Sequence, residues 1–234
     1  MTVDLPAGLL LVFGELGANV SEDEFSDWLD NEHVPARLTI PGINTALRYI
    51  AADGKEPKFA SVYDVNSPAV LDSDDYKSLF PGASANEKDI ISRLASLQRR
   101  VYTLVSTLQH PDTADKPEAL PGKYALLAFW EPEPEDEVEF NKWYDEEHFP
   151  LLAKVPGYLR ARRLKLNAVN DVAPGATTPT NLPAYMAYYE WDNPNYVETD
   201  EMKAANSTDW AAKITAKTKP NPPDVRILQL LKKF

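Results

Sequence analysis

Three histidines occur in 234 residues, and two of them stand in the same setting. His33 lies in EFSDWLDNEHVPARLTIPGINTALR, and His148 lies in EFNKWYDEEHFPLLAKVPGYLRARR, 115 residues further on. Imidazole titrates nearer neutrality than other side chains, so it takes or gives a proton at low cost. Enolisation, dehydration, aldol cyclisation and decarboxylation need little beyond that transfer in a dry pocket. Glu32 and Glu147 directly precede the histidines, and Asp30 and Asp145 stand three residues before them. A carboxylate so placed would fix a tautomer or raise the imidazole pKa, which makes His148, His33, Glu147 and Glu32 the candidate acid–base groups.

Neighbouring residue types could hold a substrate. Trp28 and Trp143, with Phe25 and Phe140, share a helical face with the histidines by the three-and-four spacing, and they serve equally well as core aromatics. Arg48 and Arg163 recur on the following strand, where a guanidinium would hold a carboxylate or phenolate, or else pair with a neighbouring acid. Tyr63 and Tyr189, with Tyr185 and Tyr188 near the latter, would donate to a substrate oxygen. The histidines also have a structural reading: an imidazole near a helix C-terminus meets the dipole and bonds the last carbonyls. Duplication copies packing residues as readily as catalytic ones. The run DEEH is a poor metal site, because adjacent helical residues point apart and each copy has one histidine, so no metal is expected. There is no Gly-rich phosphate loop and no G-x-S-x-G elbow, and His110 reads as a solvated linker residue.

The elements that position these residues come twice. Ten of 24 positions are identical without a gap: Phe25, Trp28, Asp30, Glu32, His33, Pro35, Pro41, Gly42, Ala46 and Arg48 recur as Phe140, Trp143, Asp145, Glu147, His148, Pro150, Pro156, Gly157, Ala161 and Arg163. Beyond them YDVNSPAVLDSDD (63–75) faces YEWDNPNYVETDE (189–201) at an offset of 126, which places an 11-residue insertion in the Pro/Gly/Thr-rich stretch 167–183. Each copy reads strand, helix, strand, strand, helix, strand. AGLLLVFGE and KYALLAFWE are short apolar runs. Ser21 with Glu24 starts helix one, which is expected to end near Pro35 or Pro150 and at the latest at the following Pro-Gly. INTALRYIA and YLRARRLKL alternate as half-buried strands, and FASVYDV and AYMAYYEW follow as the third. The stretches 72–98 and 195–217 are mostly helical in character, and RRVYTLVSTL and VRILQLLKK close the copies. The polar, proline-rich stretch 110–122 is the linker between modules 7–109 and 123–234. Such an order is the α+β ferredoxin-like arrangement, whose bare sheet face a second copy would cover.

The element order and the pattern F-x-x-W-x-[DN]-x-[EH]-H-x-P-x(5)-PG resemble the EthD-like branch of the dimeric α+β barrel superfamily, over nearly the whole chain as two tandem modules. The resemblance implies two fused ferredoxin-like βαββαβ modules forming an intramolecular dimeric α+β barrel, with a small molecule held between a sheet and its helices. It implies activities such as polyketide cyclase, dehydratase, lactone isomerase or cofactor-free monooxygenase; other members bind haem, and many have no assigned activity. The expected function is therefore a cofactor-independent lyase or isomerase acting on a small aromatic or polyketide-derived molecule, with a helix-one histidine as general acid/base. The alternatives are a non-catalytic small-molecule or haem-binding accessory protein, or a cofactor-free monooxygenase. Of the two copies the second is favoured, because the loop 168–182 would act as a lid and Trp130 stands where the first copy has Gly14.

Composition disfavours some classes of partner. With 44% hydrophobic residues the chain can bury a substantial core, and a net charge of −12 without any Lys/Arg run disfavours nucleic acid and anionic membranes. The absence of cysteine removes disulfides and thiolate chemistry and fits a reducing compartment. No signal-like segment or membrane-length apolar run is present, so a cytoplasmic chain is expected, either a monomer with an internal pseudo-dimer or a homodimer.

Overall fold

The computed structural model describes residues 6–114, 116–176, 179 and 181–234. The strands are β1 (Gly8–Glu15), β2 (Ile43–Ala51), β3 (Phe59–Val65), β4 (Ser96–Gln109), β5 (Tyr124–Pro132), β6 (Tyr158–Asp171), β7 (Tyr185–Trp191) and β8 (Thr218–Lys233). They close into a barrel in the order β1-β3-β2-β8-β5-β7-β6-β4. Residues Gly8–Gly14 of β1 and Tyr185–Tyr189 of β7 are buried on both faces, which is why they read as unbroken apolar or aromatic runs rather than as alternations. Equivalent residues keep equivalent registers: Tyr63 lies between Leu10 and Ala46, and Tyr189 between Leu126 and Ala161.

The helices of the first copy are α1 (Glu22–Trp28), α2 (Val34–Leu38), α3 (Asp74–Ser78) and α4 (Ala85–Arg93). The linker holds α5 (Pro111–Ala114), and the second copy has α6 (Glu137–Trp143), α7 (Phe149–Leu152), α8 (Asp200–Asn206) and α9 (Asp209–Thr215). Ser21 caps α1 as expected, its hydroxyl accepting from the Glu24 N–H at 3.2 Å. Ser73 and Thr199 cap α3 and α8 in the same way, and Ser84 and Thr208 cap α4 and α9. These matched caps set the residue equivalence of the two copies beyond the motif.

Helix one does not stop at the proline. A π turn, Leu29–His33, joins α1 to α2, and its twin, Tyr144–His148, joins α6 to α7. In each the ladder widens by one residue, the Val34 N–H reaching the Leu29 carbonyl and the Phe149 N–H the Tyr144 carbonyl. Pro35 and Pro150 then fall in the first turn of a new helical segment, where a missing N–H costs least. The run ends at the Pro-Gly turn, where Gly42 and Gly157 have φ of 93° and 84°. Three other bounds differ from the sequence reading. β6 continues to Asp171, into the insertion, β8 begins at Thr218 rather than Val225, and the second helical stretch of each copy is broken into short capped pieces.

Contacts divide the chain into two units. The first runs to Leu104 and takes in Leu166–Asn181 and Leu230–Phe234; the second comprises Val105–Lys165 and Leu182–Gln229. The insertion is thus part of the first unit. The Val172 N–H bonds the Leu97 carbonyl at 2.9 Å, and Ala173 is buried in the first unit's core beside Val172 and Ala176. Of the expected loop 168–182, residues 177, 178 and 180 lie outside the described residues. Among the described residues no helix is long and apolar enough to cross a membrane.

Candidate active site

In the second unit His148 is the last residue of its π turn and is buried, 5% exposed. Its ring stacks on Trp143 with centroids 4.3 Å apart and an interplanar angle of 23°, and meets Tyr144 edge-on at 5.2 Å. It forms part of the wall of a cavity of about 260 Å³, whose other walls include Ala128 and Trp130 on β5, Tyr189 on β7 and Met202 on α8. No Asp, Glu, Lys or Arg among the described residues lines this cavity. The Nδ1 of His148 is buried without a hydrogen-bond partner among the described residues. Burial holds the imidazole pKa down at about 4, with only the backbone of Ala205 acting the other way. Burial also pushes the Tyr189 phenol well above its ordinary value. At neutral pH the cavity therefore presents a neutral imidazole and a protonated phenol among apolar and aromatic walls, where partial charges act at low dielectric.

The first unit surrounds His33 differently. Its Nδ1 lies 3.0 Å from Oε1 of Glu87 on α4, and the same oxygen accepts from Nη2 of Arg37 at 3.3 Å. Arg37 also donates through Nη1 to the His33 carbonyl at 2.9 Å. Burial brings the His33 pKa to about 4, aided by the Arg37 charge and opposed by Glu87. Burial would raise the Glu87 carboxyl, but the bonds and charges of His33 and Arg37 outweigh it and hold the pKa below its usual value. Among the described residues this ring lines two voids, of about 10 and 20 Å³, the size of single waters. Tyr63 and Phe25 line the smaller one, and Val172 of the insertion lines the other. The insertion expected as a lid on the second copy instead helps close off the first.

The acids next to the histidines in sequence do not reach them. Glu32 accepts from Asn86 at 3.0 Å, while Glu147 accepts from Trp143 Nε1 at 3.2 Å and from the Thr208 hydroxyl at 2.6 Å. Adjacent residues of a helical run point apart, which is the reason. The carboxylate beside His33 is Glu87, and its signal in the sequence, SANE after a loop, reads locally as a capping box. Ser84 does cap α4, but the Glu87 side chain turns to His33.

The recurring arginines fasten strand to helix and line none of the described cavities. Arg48 pairs with Asp30 and donates to Ser26 Oγ at 3.1 Å. Arg163 donates to the Asn141 carbonyl at 3.0 Å and to its side chain, lies 3.4 Å from Asp145, and packs its guanidinium against Tyr144. Phe140 lies in the second core without lining the cavity, Trp28 meets His33 edge-on at 4.5 Å, and the Tyr185 hydroxyl donates to Glu137. His110 is half-buried, its Nδ1 accepting from the Asp112 N–H at 3.2 Å. Among the described residues no group of acids and histidines is arranged to hold a metal ion.

No family model matches the chain, and no curated protein matches it. Solved structures do. An anthrone oxidase-like protein is similar with a TM-score of 0.62 and 14% identity over 97% of this chain and 92% of that one. A proposed monooxygenase from Fusobacterium nucleatum subsp. nucleatum follows at 0.60 and 12%, over 97% and 94%. Another proposed monooxygenase, from Lactobacillus acidophilus, gives 0.55 and 12%, over 97% and 95%. At such identities the likeness is one of fold, and the fold is the dimeric α+β barrel.

Proposed function

We propose that this dimeric α+β barrel protein is a cofactor-independent enzyme that binds a small, ring-bearing, mostly apolar molecule in its second unit and moves a proton on it with His148. The carrying observation is a buried, neutral imidazole in the wall of a cavity of about 260 Å³ that no Asp, Glu, Lys or Arg among the described residues lines. With a pKa of about 4, His148 is a free base throughout the neutral range. It accepts a proton from a carbon acid beside a carbonyl, or from a phenol, and the ion pair formed with the resulting anion raises the imidazolium pKa while the pair lasts. Once the negative charge has moved, the imidazolium is a strong acid in a dry site and returns the proton to another atom or to a leaving hydroxyl. Tyr189, protonated and in the same wall, donates to the substrate oxygen that gathers charge. Proton removal followed by return describes a dehydratase, cyclase or isomerase.

The same first step would open a cofactor-free oxygenation, in which the substrate carbanion passes an electron to dioxygen. The names of the solved structures similar in fold keep this as the second reading. Haem does not fit the cavity: about 260 Å³ lies below the roughly 300–1,000 Å³ of sites for drug-sized ligands, and no lysine or arginine lines it to meet propionates. The test is turnover of a panel of phenolic and polyketide-like compounds by the wild type and His148→Gln. Loss of about a hundredfold or more in kcat with an unchanged melting temperature is expected. Undiminished turnover in the variant would sink the proposal.

A further inference from the structure

The two cavities occupy equivalent places, and what fills one is missing from the other. The motif equates Arg37 with Leu152, and the matched caps of α3 and α8 equate Tyr76 with Met202 and Phe80 with Asn206. The caps of α4 and α9 equate Glu87 with Ala211. Strand register completes the set: Val12 faces Arg99 in the first unit where Ala128 faces Val225 in the second. In the first unit Arg37, Tyr76, Phe80 and Arg99 line what remains of the space beside His33, a void of about 20 Å³. In the second, Leu152, Met202, Asn206 and Val225 line about 260 Å³ beside His148. The exchange removes two rings and two guanidinium heads, and it also removes every charge: two arginines and the carboxylate that met the imidazole.

Resting on the proposed ligand site of the second unit, we infer that its ligand is an uncharged ring compound, that anions are rejected, and that Leu152, Met202, Asn206, Ala211 and Val225 set this selectivity. Met202 and Asn206 set the room. Leu152 and Val225 set the charge preference, because an anion entering the cavity gives up its hydration and meets no cation there. Ala211 leaves the imidazole without a carboxylate, so Nδ1 is not tied up as it is in His33. Asn206, largely exposed, is the polar residue at the rim through which a ring hydroxyl can stay in contact with water.

The experiment is a tryptophan-fluorescence titration with naphthol and naphthoate near pH 7, since Trp130 and Trp191 line the cavity. Wild type should bind naphthol saturably and naphthoate at least about tenfold more weakly. Met202→Tyr with Asn206→Phe should abolish naphthol binding; if that pair does not fold, Met202→Tyr alone should weaken it by about tenfold. Val225→Arg should narrow or reverse the preference. Naphthoate binding as tight as naphthol, no binding of either, or naphthol affinity unchanged in a folded Met202→Tyr variant would each overturn the inference. Binding is read apart from turnover. A protein that binds as described but moves no proton retires the proposed chemistry alone, whereas His148-dependent turnover of an anionic compound retires the selectivity alone.

Discussion

The two histidine sites share a helix, a widened turn, a tryptophan partner and a strand tyrosine, yet they differ in most of what else surrounds the ring. His33 is tied to Glu87, which is tied to Arg37, and bulky side chains fill the space beyond. His148 has an alanine where that carboxylate stands and a cavity where those side chains lie. A repeated motif therefore marks a repeated helix, while the chemistry depends on residues that the repeat does not hold constant. One imidazole is tied to a buried carboxylate and guanidinium, and the other borders a cavity.

The sharpest way to break this comparison is to exchange one ring at a time. His148→Gln should lower turnover by about 10² to 10⁴, whereas His33→Gln should leave kcat within a few-fold and lower stability instead, read by activity assay and urea unfolding. Equal losses of activity in both variants would show that the sites are not divided as described. Next in size is Glu87→Ala. It leaves Arg37 and His33 buried without their carboxylate and should cost about 3–5 kcal/mol, while its counterpart position already carries Ala211 at no such cost. Denaturant midpoints measure this directly.

Acid should act on both sites alike. Each imidazole ionises near 6.5 when unfolded and at about 4 when folded, so between those values the unfolded chain binds more protons. The stability due to each neutral ring is complete above pH 6.5 and is lost as the pH falls toward 4, by about 3 kcal/mol per histidine. Unfolding curves at about pH 7 and about pH 4.5 should show the fall, and His148→Gln should remove its share. A flat profile would mean that the rings are hydrated. The smallest effect separates the caps. Thr208→Ala loses both the α9 cap and the bond to Glu147, and should cost about 1–2 kcal/mol, against about 1 kcal/mol for Ser84→Ala, which loses a cap alone.

Much of the fold was legible because duplication prints the element order twice and each strand reads as a short apolar or alternating run. The helix continuing past Pro35 was not, since a proline is expected to stop an α-ladder and nothing local to the motif announces that the preceding turn is a π turn. At the site, the histidines, Tyr63 and Tyr189 could be picked out by repetition. Glu87 could not, because it comes from another helix 54 residues away and sits in a capping-box pattern that accounts for it locally. Arg48 and Arg163 were legible as recurring cations but not as braces, since Asn141 and Ser26, which receive them, are unremarkable in the sequence. The difference in cavity size depends on side-chain volume at positions spread over four elements, which only a residue-by-residue equivalence of the copies reveals.

The first unit is completed from far along the chain. Leu166–Asn181 and the last five residues belong to it; the Phe234 N–H bonds the Ala46 carbonyl at 3.0 Å, and Lys232 reaches Asp30 at 2.8 Å. A polypeptide cut at the linker would thus leave its N-terminal fragment without Ala173 in its core and without the strand end that meets β2. Ancestry made this protein in halves, but its present architecture is no longer divisible along that seam. The second copy cannot be traded or truncated as an independent cassette without taking from the first unit part of its core.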